Sequence, residues 1–80
     1  MNTEKLSALA ISDSGFIFDP VTGHSFTSNE TGISIINFLK QGLSVDEVVD
    51  ELLEIYDIDE NQLEIDVLDF IQNLKNYNLI

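Results

Sequence analysis

After Thr27 the sequence carries three apolar stripes at helical spacing, each bracketed by residues that start and stop helices. This punctuation constrains the fold more than any other feature. The first stripe is Gly32, Ile35, Ile36 and Leu39, at i, i+3, i+4 and i+7. Ser28 or Asn29 is suited to begin that helix, and Gly42 to end it. The second helix opens at Ser44-Val45-Asp46-Glu47, a capping box flanked by Leu43 and Val48 at staple positions. Its stripe is Val45, Val48, Val49, Leu52 and Tyr56. The third opens at Asp59, with Gln62 at the third helical position and Ile58 and Leu63 as a second staple. It closes near Tyr77, where Asn78 can adopt a left-handed turn and Leu79 can fold back on Leu74.

The residues before Thr27 read as three short strands. Leu6 to Ile11 ends at the turn cluster Asp13-Ser14-Gly15, and Phe16-Ile17-Phe18 is an aromatic and β-branched run. Asp19-Pro20-Val21-Thr22-Gly23 turns the chain, and His24 to Thr27 returns it. Pairing Phe16 with Phe26 would put both rings on one face, where such pairs contribute about 0.2–1 kcal/mol. A sheet this small needs the helices to stand on. Strands followed by helices around one core make an α+β domain. With 80 residues and no linker, the chain is one domain, residues 1–80.

Composition removes several classes of chemistry. There is no cysteine, hence no disulfide, thiol nucleophile or thiolate-bound metal. His24 is the only histidine, no glycine-rich phosphate loop occurs, and Asp57-Ile58-Asp59-Glu60 lacks the glycine and spacing of a calcium loop. The chain is read as non-catalytic, with no cofactor and no metal. The second and third helices could form a helix-turn-helix. However, Glu60, Glu64, Asp66 and Asp69 stand on the would-be recognition helix, and the chain has no arginine. Fifteen acids against three lysines give a formal charge of −12, which repels nucleic acid and anionic lipid; it either suits a basic partner or simply keeps a small domain soluble. No segment approaches the roughly 20 apolar residues of a membrane helix. The N-terminus lacks the pattern of a signal peptide. A cytoplasmic location is expected.

On the third of these helices, about 100° per residue places Leu63, Val67, Phe70, Leu74 and Tyr77 in one core sector. Ile71 sits on the flank, and Leu68 lies roughly 130° from the sector centre, with Glu64 and Lys75 near it. Apolar side chains off the core sector suit a peptide groove, though scattered exposed aliphatics are also common. The third strand, His24 to Thr27, lies at a sheet edge and offers unpaired main-chain groups for strand addition.

The run GFIFDPVTGHSFTSNETG, then IINFLKQGLSVDEVVDELLEIYDID and DVLDFIQNLKNYNLI, resembles the PqqD-like peptide chaperones, also called precursor-peptide recognition elements. The likeness covers roughly residues 6–80 and rests on order and spacing. It implies a winged helix-turn-helix, with a three-stranded antiparallel sheet followed by three helices. It also implies a chaperone that binds the leader of a ribosomally synthesised precursor and presents it to a modifying enzyme, such as a radical S-adenosylmethionine protein. The leader would lie along the third strand and third helix. Here those positions are His24, Ser25, Phe26 and Thr27, with the flank carrying Glu64, Leu68, Ile71 and Lys75. At 80 residues the chain reads as a free-standing member. The alternative is an acidic regulatory winged-helix domain that binds a kinase or other protein and no precursor peptide.

Overall fold

The computed structural model describes residues 3–80. The order is α1 (Thr3–Ala8), β1 (Ala10–Ile11), β2 (Phe16–Phe18), β3 (Ser25–Thr27), α2 (Glu30–Lys40), α3 (Val45–Ile55) and α4 (Glu60–Asn76). The strands form an antiparallel sheet in the order β1-β2-β3, so β3 is an edge. The helices cover one face of this sheet, which is the α+β winged helix-turn-helix expected from the sequence.

The first strand is shorter than the sequence suggests. Residues 3–8 are helical, and only Ala10 and Ile11 pair with β2. Leu6 and Leu9 stand three residues apart and are both buried, and no β-branched residue occurs between Glu4 and Ile11 to oppose helix formation. α1 lies against α2, and Lys40 Nζ donates to the Leu9 carbonyl at 3.0 Å where the chain leaves α1.

The hairpin register also differs by one residue from the expected pairing. Phe16 faces Thr27, and Ile17 faces Phe26. The turn sets this register. Asp19 accepts from the Val21 amide at 2.9 Å and the Thr22 hydroxyl at 3.0 Å, while its own amide donates to the His24 carbonyl at 2.9 Å. Side chains alternate along a strand, so Ile17 and Phe26 turn towards the helices while Phe16 and Phe18 turn outwards.

The C-terminal half matches its punctuation closely. Asn29, Ser44 and Asp59 are the N-caps, with side chains that accept from Gly32, Glu47 and Gln62. The capping box at α3 is complete: the Glu47 carboxylate takes the Ser44 amide at 3.0 Å, and the Ser44 hydroxyl takes the Glu47 amide at 3.2 Å. Losing such a cap costs about 1 kcal/mol, or about 4–8 °C of Tm in a domain this size. Ser44→Ala should show that loss in a melting curve at neutral pH.

The Ser44 backbone N–H, and after it the Ser44 side chain, hold the Glu47 carboxyl below the ordinary carboxylate range. A group whose pKa is lowered by folding contributes stability above its unfolded pKa, and that stability is lost as pH falls through the folded value. The melting difference between the native chain and Glu47→Ala should therefore shrink as pH drops through the acidic range. A difference independent of pH would mean that the carboxylate is not what the box uses.

On α4 the core stripe is Leu63, Val67, Ile71 and Leu74. Its centre is rotated roughly 35° from the expected sector towards Ile71. Ile71 is buried, whereas Phe70 is half-buried and Tyr77 is 61% exposed. The cause is asymmetric packing. α3 covers one side of α4, while the side towards β3 stays open.

Candidate functional site

Antiparallel pairs alternate between hydrogen-bonded and non-bonded positions. Asp19 donates to His24, and Ser28 donates to Gly15 at 2.9 Å. Ile17–Phe26, midway between them, is therefore the third bonded pair of the hairpin. The same alternation turns the amides and carbonyls of Ser25 and Thr27 towards the open edge. β3 thus presents two donors and two acceptors to an incoming strand.

Beside this edge, a groove of about 430 Å³ separates β3 from α4. Ile17, Leu74 and Leu79 form its apolar base, and Phe26, Thr27, Phe70, Asn73 and Tyr77 are among its walls. The Phe26 and Tyr77 rings meet at 5.3 Å with a 48° tilt, and His24 stands edge-on to Phe26 at 6.4 Å. Phe70 is positioned by Gly32. A Cβ at residue 32 would lie 2.8 Å from Cε2 of the Phe70 ring and would also strike the Ser28 hydroxyl. A glycine there lets the ring lie directly on α2.

The far end is closed by the chain itself. Asn78 takes φ 59°, its amide donates to the Lys75 carbonyl at 3.0 Å, and the Leu79 amide donates to the Leu74 carbonyl at 2.9 Å. This turn buries Leu79 beneath the groove. No lining residue carries a charge, although the chain as a whole stands at −12. Asp66 and Asp69 continue the same flank of α4 towards its N-terminus, giving the groove one acidic end.

The structure brings together only part of the residue set expected from the sequence. Ser25, Phe26 and Thr27 line the groove, and His24 borders it through Phe26. Ile71 is core. Glu64, Leu68 and Lys75 lie on the other flank of α4, roughly 160° round from Phe70, Asn73 and Tyr77, and do not line the groove. Leu68 is nonetheless 49% exposed, consistent with its place off the core sector.

Phe70, Asn73 and Tyr77 line the groove but are not singled out by the sequence pattern. The helical wheel counts Phe70 and Tyr77 in a core sector that is too wide. The available signal was that an aromatic pair seven residues apart, with Asn73 between them, repeats on one edge of that sector.

Three comparisons bear on this geometry. The family model described as coenzyme PQQ synthesis protein D (PqqD) matches residues 15–80. A structure of TbiB1 in complex with the TbiA(beta) leader peptide is similar, with a TM-score of 0.80 and 29% identity, covering 89% of this chain and 84% of that one. Lasso peptide synthetase B1 complexed with the leader peptide is also similar, with a TM-score of 0.75 and 26% identity over 86% of this chain and 82% of that one. No curated protein matches the chain.

Proposed function

The chain belongs to the PqqD family, and from that premise we propose that it is a peptide chaperone without catalytic activity, binding a precursor's leader and presenting it to a modifying enzyme. The observation that carries this reading is the junction of an open β3 edge with an uncharged aromatic groove. An added strand gains main-chain bonds from Ser25 and Thr27, while alternate side chains enter the groove beside Phe26, Phe70, Asn73 and Tyr77. Main-chain bonds supply register and the groove supplies selectivity. Both similar structures described above are leader-peptide complexes, which supports the same assignment.

The acidic surface has a place in this reading. Basic residues in the leader lie outside the uncharged groove, near Asp66 and Asp69, where they speed association and set direction. Among the described residues no helix is long and apolar enough to cross a membrane. A site of action in the cytoplasm, with newly made precursor, fits a chain that needs no disulfide.

Calorimetry with a synthetic peptide spanning the leader of a candidate precursor tests the assignment. Tyr77→Ala should weaken binding about tenfold or more, as expected for an exposed interface tyrosine. Leu68→Asp, on the other flank, should leave it unchanged. Affinity should also fall as salt rises. The opposite ranking of the two variants would move the leader to the Glu64–Leu68–Lys75 flank, and no binding at all would remove the function.

A further inference from the structure

The sheet face turned away from the helices is open and apolar. Phe16 and Phe18 are 54% and 45% exposed, and with Ala10, Ile11 and Ser12 they line a shallow groove of about 210 Å³ that has no charged residue. Their cross-strand neighbours on that face are Thr27 and Ser25, which are too short to cover two rings. Among the described residues nothing lies over them.

We propose that this outer face docks the modifying enzyme, and that the docking surface is completed by the bound leader. The proposal rests on the reading that the leader extends the sheet at β3. Two rows of side chains cross the outer face: Ala10, Phe18 and Ser25 in one, and Phe16 and Thr27 in the other. A strand added at β3 lengthens each row by one leader side chain, because alternate residues of the added strand point outwards. Ser25 and Thr27 then form a low trough between the phenylalanines and the leader. An enzyme seated on Phe16 and Phe18 crosses that trough and touches the leader directly.

Charge selects this occupant over a second copy of the chain. Two molecules at −12 repel one another. A partner with an apolar centre and a basic rim matches an uncharged patch on an acidic domain. Because enzyme and leader share one surface, each raises the other's affinity by the same factor. The enzyme therefore favours loaded chaperone over empty chaperone, and empty domains do not occupy it.

The test uses the double variant Phe16→Thr, Phe18→Thr, which keeps strand-forming residues at both positions. Leader affinity is measured first, and the affinity for the modifying enzyme that acts on that leader's precursor is then measured with and without saturating leader. The native domain should bind the enzyme more tightly when loaded. The double variant should keep its leader affinity and lose about 30-fold or more in enzyme affinity, the loss expected when a central aromatic anchor is removed. Enzyme binding equal to that of the native domain, or native binding indifferent to the leader, overturns the proposal while leader binding stands. A native domain that does not bind leader overturns the underlying reading and this proposal together. Should the variant melt early, amide mapping on the native domain decides the question. Enzyme-induced broadening at Phe16 and Phe18 supports the outer face, whereas broadening confined to α3, or a dimer formed through this face, overturns it.

Discussion

Thr27→Pro should weaken leader binding about 30-fold or more while leaving the fold in place. The Thr27 amide points to the open edge, so proline removes no bond of the β2–β3 ladder. Phe26, the residue before it, is already in a strand, which is where a residue preceding proline belongs. The leader loses one main-chain bond, its own acceptor is stranded, and a ring stands where its backbone should approach. The lost bond and the orphaned acceptor together amount to about 2–4 kcal/mol, or about 30- to 1,000-fold in Kd. Calorimetry paired with a melting curve reads both halves of the expectation. Phe26→Pro is the contrasting variant, because its amide points into the ladder, and it should lower Tm. If Thr27→Pro binds leader as well as the native chain does, the leader does not pair with β3.

Ile36→Ala should remove much of the domain's stability. Ile36 is fully buried at the centre of α2. Truncating a buried isoleucine costs about 2–5 kcal/mol, and the small gain in helix propensity from alanine does not offset it. At about 0.05–0.15 kcal/mol per residue, the whole domain holds roughly 4–12 kcal/mol. The variant should melt about 10–30 °C lower. A drop of only a few degrees would show that the site collapses around the missing carbons. Leu68→Asp, by contrast, should hardly move Tm, because Leu68 is half exposed already.

What could be read from the sequence was local chemistry. Caps at Asn29, Ser44 and Asp59 act within three residues of themselves, and the Asn78 closure acts within five, so no tertiary knowledge was needed to find them. Leu6 to Ile11 supports either a strand or a helix by local pattern, and its first half is helical. Burial of Leu6 and Leu9 among the helices decided the matter. The hairpin register shifted because Asp19 fixes the turn through three hydrogen bonds, and a one-residue slip exchanges the faces of Phe16 and Ile17.

The third strand was located correctly as an edge. The flank of α4 that lines the groove beside β3 is not the one the wheel singles out, because a helical wheel ranks residues by distance from a core centre it must assume. With that centre displaced, the wheel counts Phe70 and Tyr77 as core and puts Ile71 on the flank, whereas Ile71 is buried and Tyr77 exposed. Which neighbour each flank faces depends on how α4 is laid against β3, a long-range fact that no local pattern encodes.

The brevity of β3 has a consequence for self-association. An exposed edge strand is where chains join into fibres, and proteins guard such edges by shortening and charging them. Here the open rail is two residues long, flanked on one side by the Asp19–His24 turn and on the other by the cap of α2. Two copies meeting edge to edge could share only a handful of main-chain bonds, against the repulsion of two domains at −12. On the proposed mode a leader brings side chains for the groove and can bring positive charge as well, so it gains where a sibling chain does not. The same short edge that, on the proposed strand addition, keeps the leader's main-chain contribution small also leaves a second copy little to join.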